Sequence, residues 1–233
     1  MKIIPVIDFK DGVVVHARQG HRQNYQPINT PLCKSSDVIQ VIEAFLGIYA
    51  FDTFYIADLN AITNQGDNNH LLNNVLTQFP QINFWIDRGY QKYNQLTSGN
   101  VLPVLGSESY QNEFVSEIQT YQNNFILSLD YLKSAALGAS SLFSKPNFWP
   151  NNIIIMTLER VGSNVGPDFV KLSEYCRQYP HKNFIAAGGI RHNQDLLALG
   201  EVGIRQALVA SALHSGAIKA EDISKIQAKK YPD

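Results

Sequence analysis

Eight short apolar segments are spread along the chain, and segments with the apolar spacing of an amphipathic helix lie between most of them. The apolar segments are nearly continuous runs, which is typical of strands buried on both faces of a parallel sheet. They predict strands at 2–8, 53–59, 82–87, 101–106, 125–130, 152–158, 183–188 and 206–211. A short helix and a proline-bounded loop are expected in 131–150, and regular helices at 35–50, 68–78, 90–97, 111–121, 166–178, 192–200 and 220–228. This alternation favours an α/β fold of the (β/α)8 TIM-barrel type over a doubly wound open sheet.

The two halves of the chain also resemble each other. "NFWIDRGYQKYN" begins at Asn83 and "NFIAAGGIRHNQ" at Asn183, and both pass through an apolar run to a glycine before a polar helix start. "IPVIDF" at 4–9 matches "ILSLDY" at 126–131, since each ends with an apolar residue, an aspartate and an aromatic residue. Four βα units in each copy predict one TIM-barrel domain over residues 1–233, built from half-barrels at about 1–122 and 123–233.

Composition narrows the classes of partner that the chain is expected to bind. Its 233 residues carry a formal net charge of −1, which gives no electrostatic reason to bind nucleic acid or an anionic membrane. No apolar run approaches the ~20 residues that span a bilayer, and the N-terminal run is too short for a secretory signal. The two cysteines and six histidines have no metal-ligand spacing. A cytoplasmic protein without metal or cofactor is expected, either a monomer or a weak homodimer.

Polar side chains end several of the predicted strands. Asp8 ends strand one and Asp130 ends strand five, at matching positions of the two halves. Active sites of such barrels lie at the carboxyl ends of the strands, where two opposed carboxyl groups can serve as acid and base. A single aspartate there could equally cap a loop, but the matched pair favours chemistry. Thr157 ends strand six and would hold a substrate hydroxyl or a backbone group, and Asp58 ends strand two as a cap or an acid.

A glycine pair and a second loop form a candidate phosphate site. Gly188 and Gly189 follow strand seven, and Ala210 and Ser211 follow strand eight and lead into a short helix. Glycines let the backbone approach an anion, and N–H groups at a helix start supply donors. The loops after strands seven and eight are the commonest phosphate site in these barrels, although a tight turn alone would also explain the glycines. We therefore expect a phosphorylated small-molecule substrate.

Several of these motifs occur in the order found in one known family. "IIPVIDFKDGVVVHARQG", "VLGS", "SLDY", "MTLERVG", "AAGGIRHNQDLLAL" and "GIRQALVASAL" resemble the ProFAR isomerase family of histidine biosynthesis, over nearly the whole chain. They are also similar to its sister, the cyclase subunit of imidazole glycerol phosphate synthase, which is disfavoured because no glutaminase-docking feature is visible. The resemblance implies a two-half barrel that converts an aminoaldose to an aminoketose by an Amadori rearrangement, on a substrate with a phosphate at each end.

The resemblance also implies roles for individual residues. Asp8 corresponds to the family's base-like aspartate, Asp130 to its acid-like aspartate and Thr157 to its threonine after strand six. The positions expected to bind phosphate or other parts of the substrate are Gly20, Gly106, Ser107, Gly188, Gly189, Ala210 and Ser211.

Three departures from the family indicate a different substrate. The family's Gln-x-Gly-Gly-Gly-x-Arg after strand three reads "WIDRGYQ", so Asp87 would repel a phosphate there by a few kcal/mol at low dielectric, with Arg88 as a candidate compensating charge. The loop after strand five is shortened, and Trp149 is not expected to replace its lost tryptophan. "RDGT" after strand six has become "RVGSNVG". A divergent paralogue with one phosphate site, and a smaller or differently ended substrate, is predicted.

Two other functions remain open from the sequence. A phosphosugar lyase or condensing enzyme, in cofactor biosynthesis of the one-carbon or pterin type, would need a Schiff-base lysine at a strand end. Lys10 lies two residues past predicted strand one, and no lysine ends a strand. A non-catalytic barrel that binds a phosphometabolite is the other alternative, and the presence of both Asp8 and Asp130 argues against it.

Overall fold

Eight parallel strands form a closed barrel in the computed structural model, which describes residues 1–92 and 99–229. Each strand pairs with the next, and β8 pairs with β1, where Lys2 lies beside Gln206 and Pro5 beside Val209. The strands are β1 Lys2–Lys10, β2 Thr53–Asp58, β3 Asn83–Asp87, β4 Val101–Gly106, β5 Ile126–Leu132, β6 Asn152–Thr157, β7 Asn183–Ala187 and β8 Gln206–Val209. The predicted (β/α)8 barrel is therefore confirmed and the open sheet excluded, while the division into half-barrels at 122/123 stays a prediction.

Helices surround this barrel close to their predicted positions. They are α1 Val38–Ile48, α2 Leu59–Ile62, α3 Asn69–Gln78, α4 Ser140–Ser144, α5 Phe169–Gln178, α6 Asn193–Glu201, α7 Ser211–His214 and α8 Ala220–Ala228. Segments of 3₁₀ helix cover Arg22–Asn24, Asn112–Tyr121, Pro146–Phe148 and Leu158–Arg160. The helix predicted at 90–97 lies mostly outside the described residues. No helix of the described ranges is both long and apolar enough to cross a membrane.

The predicted α-helix at 111–121 is instead the 3₁₀ helix Asn112–Tyr121. Its buried residues are Val115, Ile118 and Tyr121, spaced three apart. A 3₁₀ helix has 3.0 residues per turn, so this spacing keeps all three side chains on the face that packs on the barrel. Tertiary packing at a spacing of three explains the difference from the prediction.

Side chains alternate between two apolar layers, as strand geometry requires. The barrel interior is filled from successive strands by a cluster that includes Ile4, Tyr55, Trp85, Ile154 and Ile185. The larger cluster lies between the strands and the helices and includes the fully buried rings of Phe9, Phe45, Phe54 and Phe84. Because inward and outward positions alternate, register decides which polar side chains at the strand ends reach the interior.

A hairpin extends β1 beyond its predicted end and carries a strap over the barrel mouth. Asp11 (φ 52°) and Gly12 (φ 81°) form the turn, which suits the Asp-Gly pair of a two-residue hairpin loop. The chain returns antiparallel to β1 at Val13–His16 and pairs again at Gln26–Pro27. The strap between these strands brings Arg22 and Tyr25 to the cavity described below.

Candidate active site

A cavity with about 970 Å³ of empty space, including its open mouth, lies at the carboxyl ends of the barrel strands. Four inward-facing residues near the ends of the odd-numbered strands contribute to its lining: Asp8, Asp87, Asp130 and Ala187. Side chains of one layer in such a barrel come from alternate strands. Three of the four positions in this set therefore carry a carboxyl group.

Asp130 accepts hydrogen bonds from β5 and from the loop after β4. Ser128 Oγ donates to its Oδ1 at 2.6 Å, and Ser107 Oγ and the Glu108 N–H both donate to its Oδ2 at 3.1 Å. The Asp130 N–H in turn donates to Ser107 Oγ at 2.9 Å. Burial, and then the nearby Glu108 carboxylate, raise the pKa of Asp130 to about 7, against the opposing effect of the hydrogen bonds.

Asp87 is the third carboxyl group of the cavity, and only 5% of its surface is exposed. Its Oδ1 accepts from the Gly89 N–H at 3.0 Å, and the Tyr55 hydroxyl lies 3.4 Å from its Oδ2. Burial raises the pKa of Asp87 to about 8, and Asp130 and Glu108 add to that rise. The raised pKa favours the protonated form of Asp87, and its carboxyl group lies near that of Asp130.

Asp8 lies on the wall of the cavity opposite Asp130, because β1 and β5 are four strands apart in the closed barrel. Part of its surface is open to the cavity. Burial raises the pKa of Asp8 to about 7, while the Arg22 guanidinium acts in the other direction. The two aspartates predicted to be opposed are thus brought into one cavity, each with a carboxyl group that titrates near neutrality.

An ion pair that was not predicted from the sequence spans part of the cavity mouth. Arg22 Nη2 donates to Glu108 Oε1 at 2.5 Å, with 24% and 19% of the two side chains exposed. Arg22 comes from the strap after β1 and Glu108 from the loop after β4, so the pair links two distant segments. The sequence has no local signal for it, because each partner alone reads as an ordinary surface charge.

The four residues predicted to form the phosphate site lie together in the cavity wall after β7 and β8. Gly188 (φ +99°), Gly189 (φ +83°), Ala210 and Ser211 all contribute to its lining. A Cβ on Gly188 would lie 2.6 Å from the Thr157 carbonyl oxygen, and one on Gly189 would lie 2.3 Å from that of Gly166. Close backbone packing and positive φ thus require both glycines, and binding of phosphate there stays a prediction.

The remaining predicted substrate contacts do not contribute to the cavity lining. Thr157 is buried at the end of β6, where Met156 is the cavity residue. Gly20 packs in the strap loop near Leu158. Gly106 lies next to the Asp87 and Asp130 carboxyl groups, and the Ser107 hydroxyl donates a hydrogen bond to Asp130. A direct role for any of them in binding substrate stays a prediction.

Asp58, at the end of β2, and Trp149, in the loop before β6, have structural roles. The Asp58 carboxylate accepts hydrogen bonds from the Ala61 N–H at 3.3 Å, the Asn68 N–H at 2.8 Å and the Asn68 side chain at 2.7 Å, so it caps α2 and fixes the next loop. Trp149 is 3% exposed, and its Nε1–H donates to the Leu142 carbonyl at 2.5 Å. Trp149 therefore packs in the helix layer and does not cover the cavity, as expected from its position late in the loop.

No group of three or more histidine, cysteine, aspartate or glutamate side chains within residues 1–92 and 99–229 is arranged to hold a metal ion. No lysine of these ranges contributes to the cavity lining. The titratable groups of the described lining include the carboxyl groups of Asp8, Asp87, Glu108 and Asp130, which can act as acids or bases.

The chain is similar in sequence to several known proteins over nearly its whole length. An uncharacterised protein of Methanocaldococcus jannaschii is 32% identical over 228 residues, covering 96% of this chain and 97% of its own. Imidazole-4-carboxamide isomerases that act on a phosphoribosyl compound are more distant: that of Thermococcus onnurineus is 20% identical over 97% of this chain and 99% of its own, and one of Photorhabdus laumondii is 25% identical over 95% and 93%. A family model described as histidine biosynthesis protein matches residues 2–219. The chain belongs to this histidine biosynthesis protein family, whose named relatives here are isomerases.

Proposed function

We propose that the protein is an isomerase that converts a phosphorylated aminoaldose to an aminoketose, with a substrate that differs from the two-phosphate ribotide of its named relatives. One observation carries the proposal: Asp8 and Asp130 line opposite walls of a single cavity, with a glycine-rich backbone segment at its side. The named isomerase relatives support the same class of reaction.

The proposed reaction needs one acid and one base. A protonated carboxyl group gives its proton to the ring oxygen of the sugar, and the ring opens to an imine. A carboxylate then removes the proton from C2, which gives an enolamine that tautomerises to the aminoketose. Asp8 is the base in this scheme and Asp130 the acid that the family resemblance implies. A pKa near 7 suits both tasks, because such groups are present in either protonation state at neutral pH.

The two sides of the cavity support a substrate with one phosphate. Gly188, Gly189, Ala210 and Ser211 offer backbone N–H groups to an anion on one side. The side formed by the ends of β3 and β4 carries Asp87 and Glu108, with the Arg22 guanidinium already paired to Glu108. A second phosphate there would meet the Glu108 carboxylate and an Arg22 guanidinium that is already paired with it, so the altered end of the substrate is expected to be uncharged or cationic.

Two experiments test the proposal. The first expresses the protein in a histidine auxotroph that lacks the isomerase, and the second assays the purified protein on ProFAR, the substrate of that isomerase. We expect no growth and no ProFAR turnover, but turnover of a singly phosphorylated aminoaldose, such as a phosphorylated N-glycoside of ribose. Growth of the auxotroph would show that the substrate is unaltered. Binding of singly phosphorylated aminoaldoses without any turnover would instead favour the non-catalytic barrel.

The role of Asp8 is tested in the same assay. Asp8→Asn removes the base and is expected to lower turnover by about 10²–10⁴-fold, the usual contribution of acid–base catalysis. Glu43→Gln, an exposed change on α1, is the matched control and is expected to have no effect. Full turnover by Asp8→Asn would remove Asp8 from the mechanism.

The structure gives no support to a Schiff-base lyase. Lys10 Nζ donates to the Arg22 carbonyl at 3.0 Å, and Lys10 does not belong to the cavity lining. Trapping with borohydride in the presence of a phosphosugar would test this alternative, and we expect no covalent adduct.

A further inference from the structure

Two carboxyl groups flank one glycine on the wall between β3 and β5. A Cβ on Gly106 would lie 3.3 Å from Asp87 Oδ2 and 3.3 Å from Asp130 Oδ2. Both aspartates are almost fully buried, at 5% and 3% exposure. Two carboxyl groups that share a buried site do not both ionise readily, so one of them keeps its proton.

The hydrogen bonds around Asp130 favour its ionised form. Its carboxylate oxygens accept from Ser128 Oγ, Ser107 Oγ and the Glu108 N–H. Ser107 Oγ already accepts the Asp130 N–H, so its single proton is free to point at Asp130 Oδ2. Three donors to one carboxyl group oppose the effect of burial and favour its negative charge over that of a carboxyl group with fewer donors.

Asp87 has weaker support for a negative charge. One hydrogen bond of normal length, from the Gly89 N–H, reaches its Oδ1. Within residues 1–92 and 99–229, the one hydrogen-bond donor to its Oδ2 is the Tyr55 hydroxyl, at 3.4 Å, and both Asp87 Oδ2 and Asp130 Oδ2 lie near the Gly106 Cα. Of the two groups, Asp87 is therefore the better site for the shared proton, and Oδ2 is the oxygen that holds it.

The carboxylates around Asp87 also favour its protonated form. Besides burial, Asp130 and Glu108, from the loop after β4, raise its pKa, and Asp8 lies on β1, two strands away in the same cavity. Arg22, from the strap, lowers the pKa of Asp87, but its guanidinium is paired with Glu108. Tyr55 on β2 stays neutral because burial raises its pKa well above the ordinary value.

We propose that Asp87 is the general acid of this cavity and that Asp130 is the ionised group that keeps Asp87 protonated. The proposal rests on the proposed isomerase function and changes the source of the proton. The O–H bond at Asp87 Oδ2 breaks as the proton moves to the ring oxygen of the aminoaldose, and the C–O bond of the ring breaks. Asp8 removes one proton from C2. After one turnover Asp87 has therefore lost a proton and Asp8 has gained one, and both return to their starting states by exchange with solvent.

The order of protonation can be measured without a substrate. Protein labelled with ¹³C at the aspartate side-chain carboxyl carbon is titrated by NMR, and signals are assigned with Asp87→Asn and Asp130→Asn. We expect the Asp87 signal to keep the shift of a protonated acid at a pH at which Asp130 is already ionised. Asp130→Asn is expected to lower the Asp87 midpoint by about one pH unit or more, since it removes a like charge. A higher midpoint for Asp130 than for Asp87 would overturn the proposal.

A serine variant tests the order in which Asp87 and Asp130 lose their protons, with both carboxyl groups intact. Ser128→Ala removes the 2.6 Å donor to Asp130 and is expected to raise the Asp130 midpoint, whereas Ser144→Ala on the exposed end of α4 should leave it unchanged. An unchanged midpoint in Ser128→Ala contradicts the proposed hydrogen-bond control. Because these titrations need no turnover, their failure is separate from failure of the isomerase assay. Where turnover is found, unaltered kcat in Asp87→Asn would exclude Asp87 as the acid.

Discussion

Asp87 illustrates at the level of one residue how neighbours decide what a side chain does. In the sequence it stands where the related family has a glycine of a phosphate loop, and it reads as a misplaced negative charge. In the barrel it faces inward beside Asp130 and Glu108, and burial raises its pKa to about 8. Burial in the barrel is the main cause, and Asp130 on β5 and Glu108 in the loop after β4 add to it, so its protonation state could not be read from the segment around it.

The raised pKa of Asp87 predicts a pH-dependent cost in stability. Between the ordinary aspartate pKa and about 8, the folded protein holds a proton at Asp87 that the unfolded chain has lost. The free energy of unfolding therefore falls as pH rises through this window, by up to about 1.4 kcal/mol per pH unit for one group. Asp87→Asn removes this dependence, so the variant is expected to gain stability over the wild type progressively from pH 4 to 8.

Urea unfolding of both proteins at pH 5, 6, 7 and 8 measures the difference. Other titrating groups, such as the buried His214, affect both proteins and largely cancel. Glu43→Gln on the exposed face of α1 should differ from the wild type by a constant amount. A constant difference for Asp87→Asn as well would show that Asp87 titrates normally in the folded state.

At the level of elements, the strands were largely predictable and the contacts at their ends were not. Strands buried on both faces give continuous apolar runs, and all eight lie within two residues of their predicted ends. The opposed pair Asp8 and Asp130 followed from strand order alone. The hydrogen bonds of Ser107 with Asp130 were not predicted, because the fold alone brings the end of β4 beside β5. The pair Arg22–Glu108 likewise depends on two segments that only the fold brings together.

The glycine segment after β7 gives a prediction at this level. Gly189→Ala would place a Cβ 2.3 Å from the Gly166 carbonyl oxygen, whereas Gly216→Ala meets no atom within 4 Å. Both positions have positive φ, +83° and +74°, so both variants are expected to lose about 1–2 kcal/mol of unfolding free energy from backbone strain. Gly189→Ala is expected to lose roughly 1–3 kcal/mol more, because the loop at Gly166 must move. Equal losses in urea unfolding would mean that the loop relaxes freely.

The whole molecule combines two chain halves into one site. Asp8 and Asp87 belong to residues 1–122, and Asp130 and the glycine pair belong to residues 123–233. Two strand interfaces join the halves: β4 with β5, from Val104 beside Ile126, and β8 with β1. The hydrogen bonds between Ser107 and Asp130 cross the first of these interfaces. The position of Asp130, which keeps the proposed acid Asp87 protonated, therefore depends on contact between the two halves.

Separating the halves tests this dependence. Expressed alone, residues 1–122 and 123–233 each expose two unpaired edges of a parallel sheet and the apolar inner faces of four strands. We expect neither fragment to be a monomer with cooperative thermal unfolding, and we expect co-expressed fragments to form a one-to-one complex that unfolds cooperatively. Size-exclusion chromatography and circular dichroism measure both properties. A cooperative monomeric half would mean that each half-barrel carries its own core, and that the interfaces at β4–β5 and β8–β1 add to a fold that already exists.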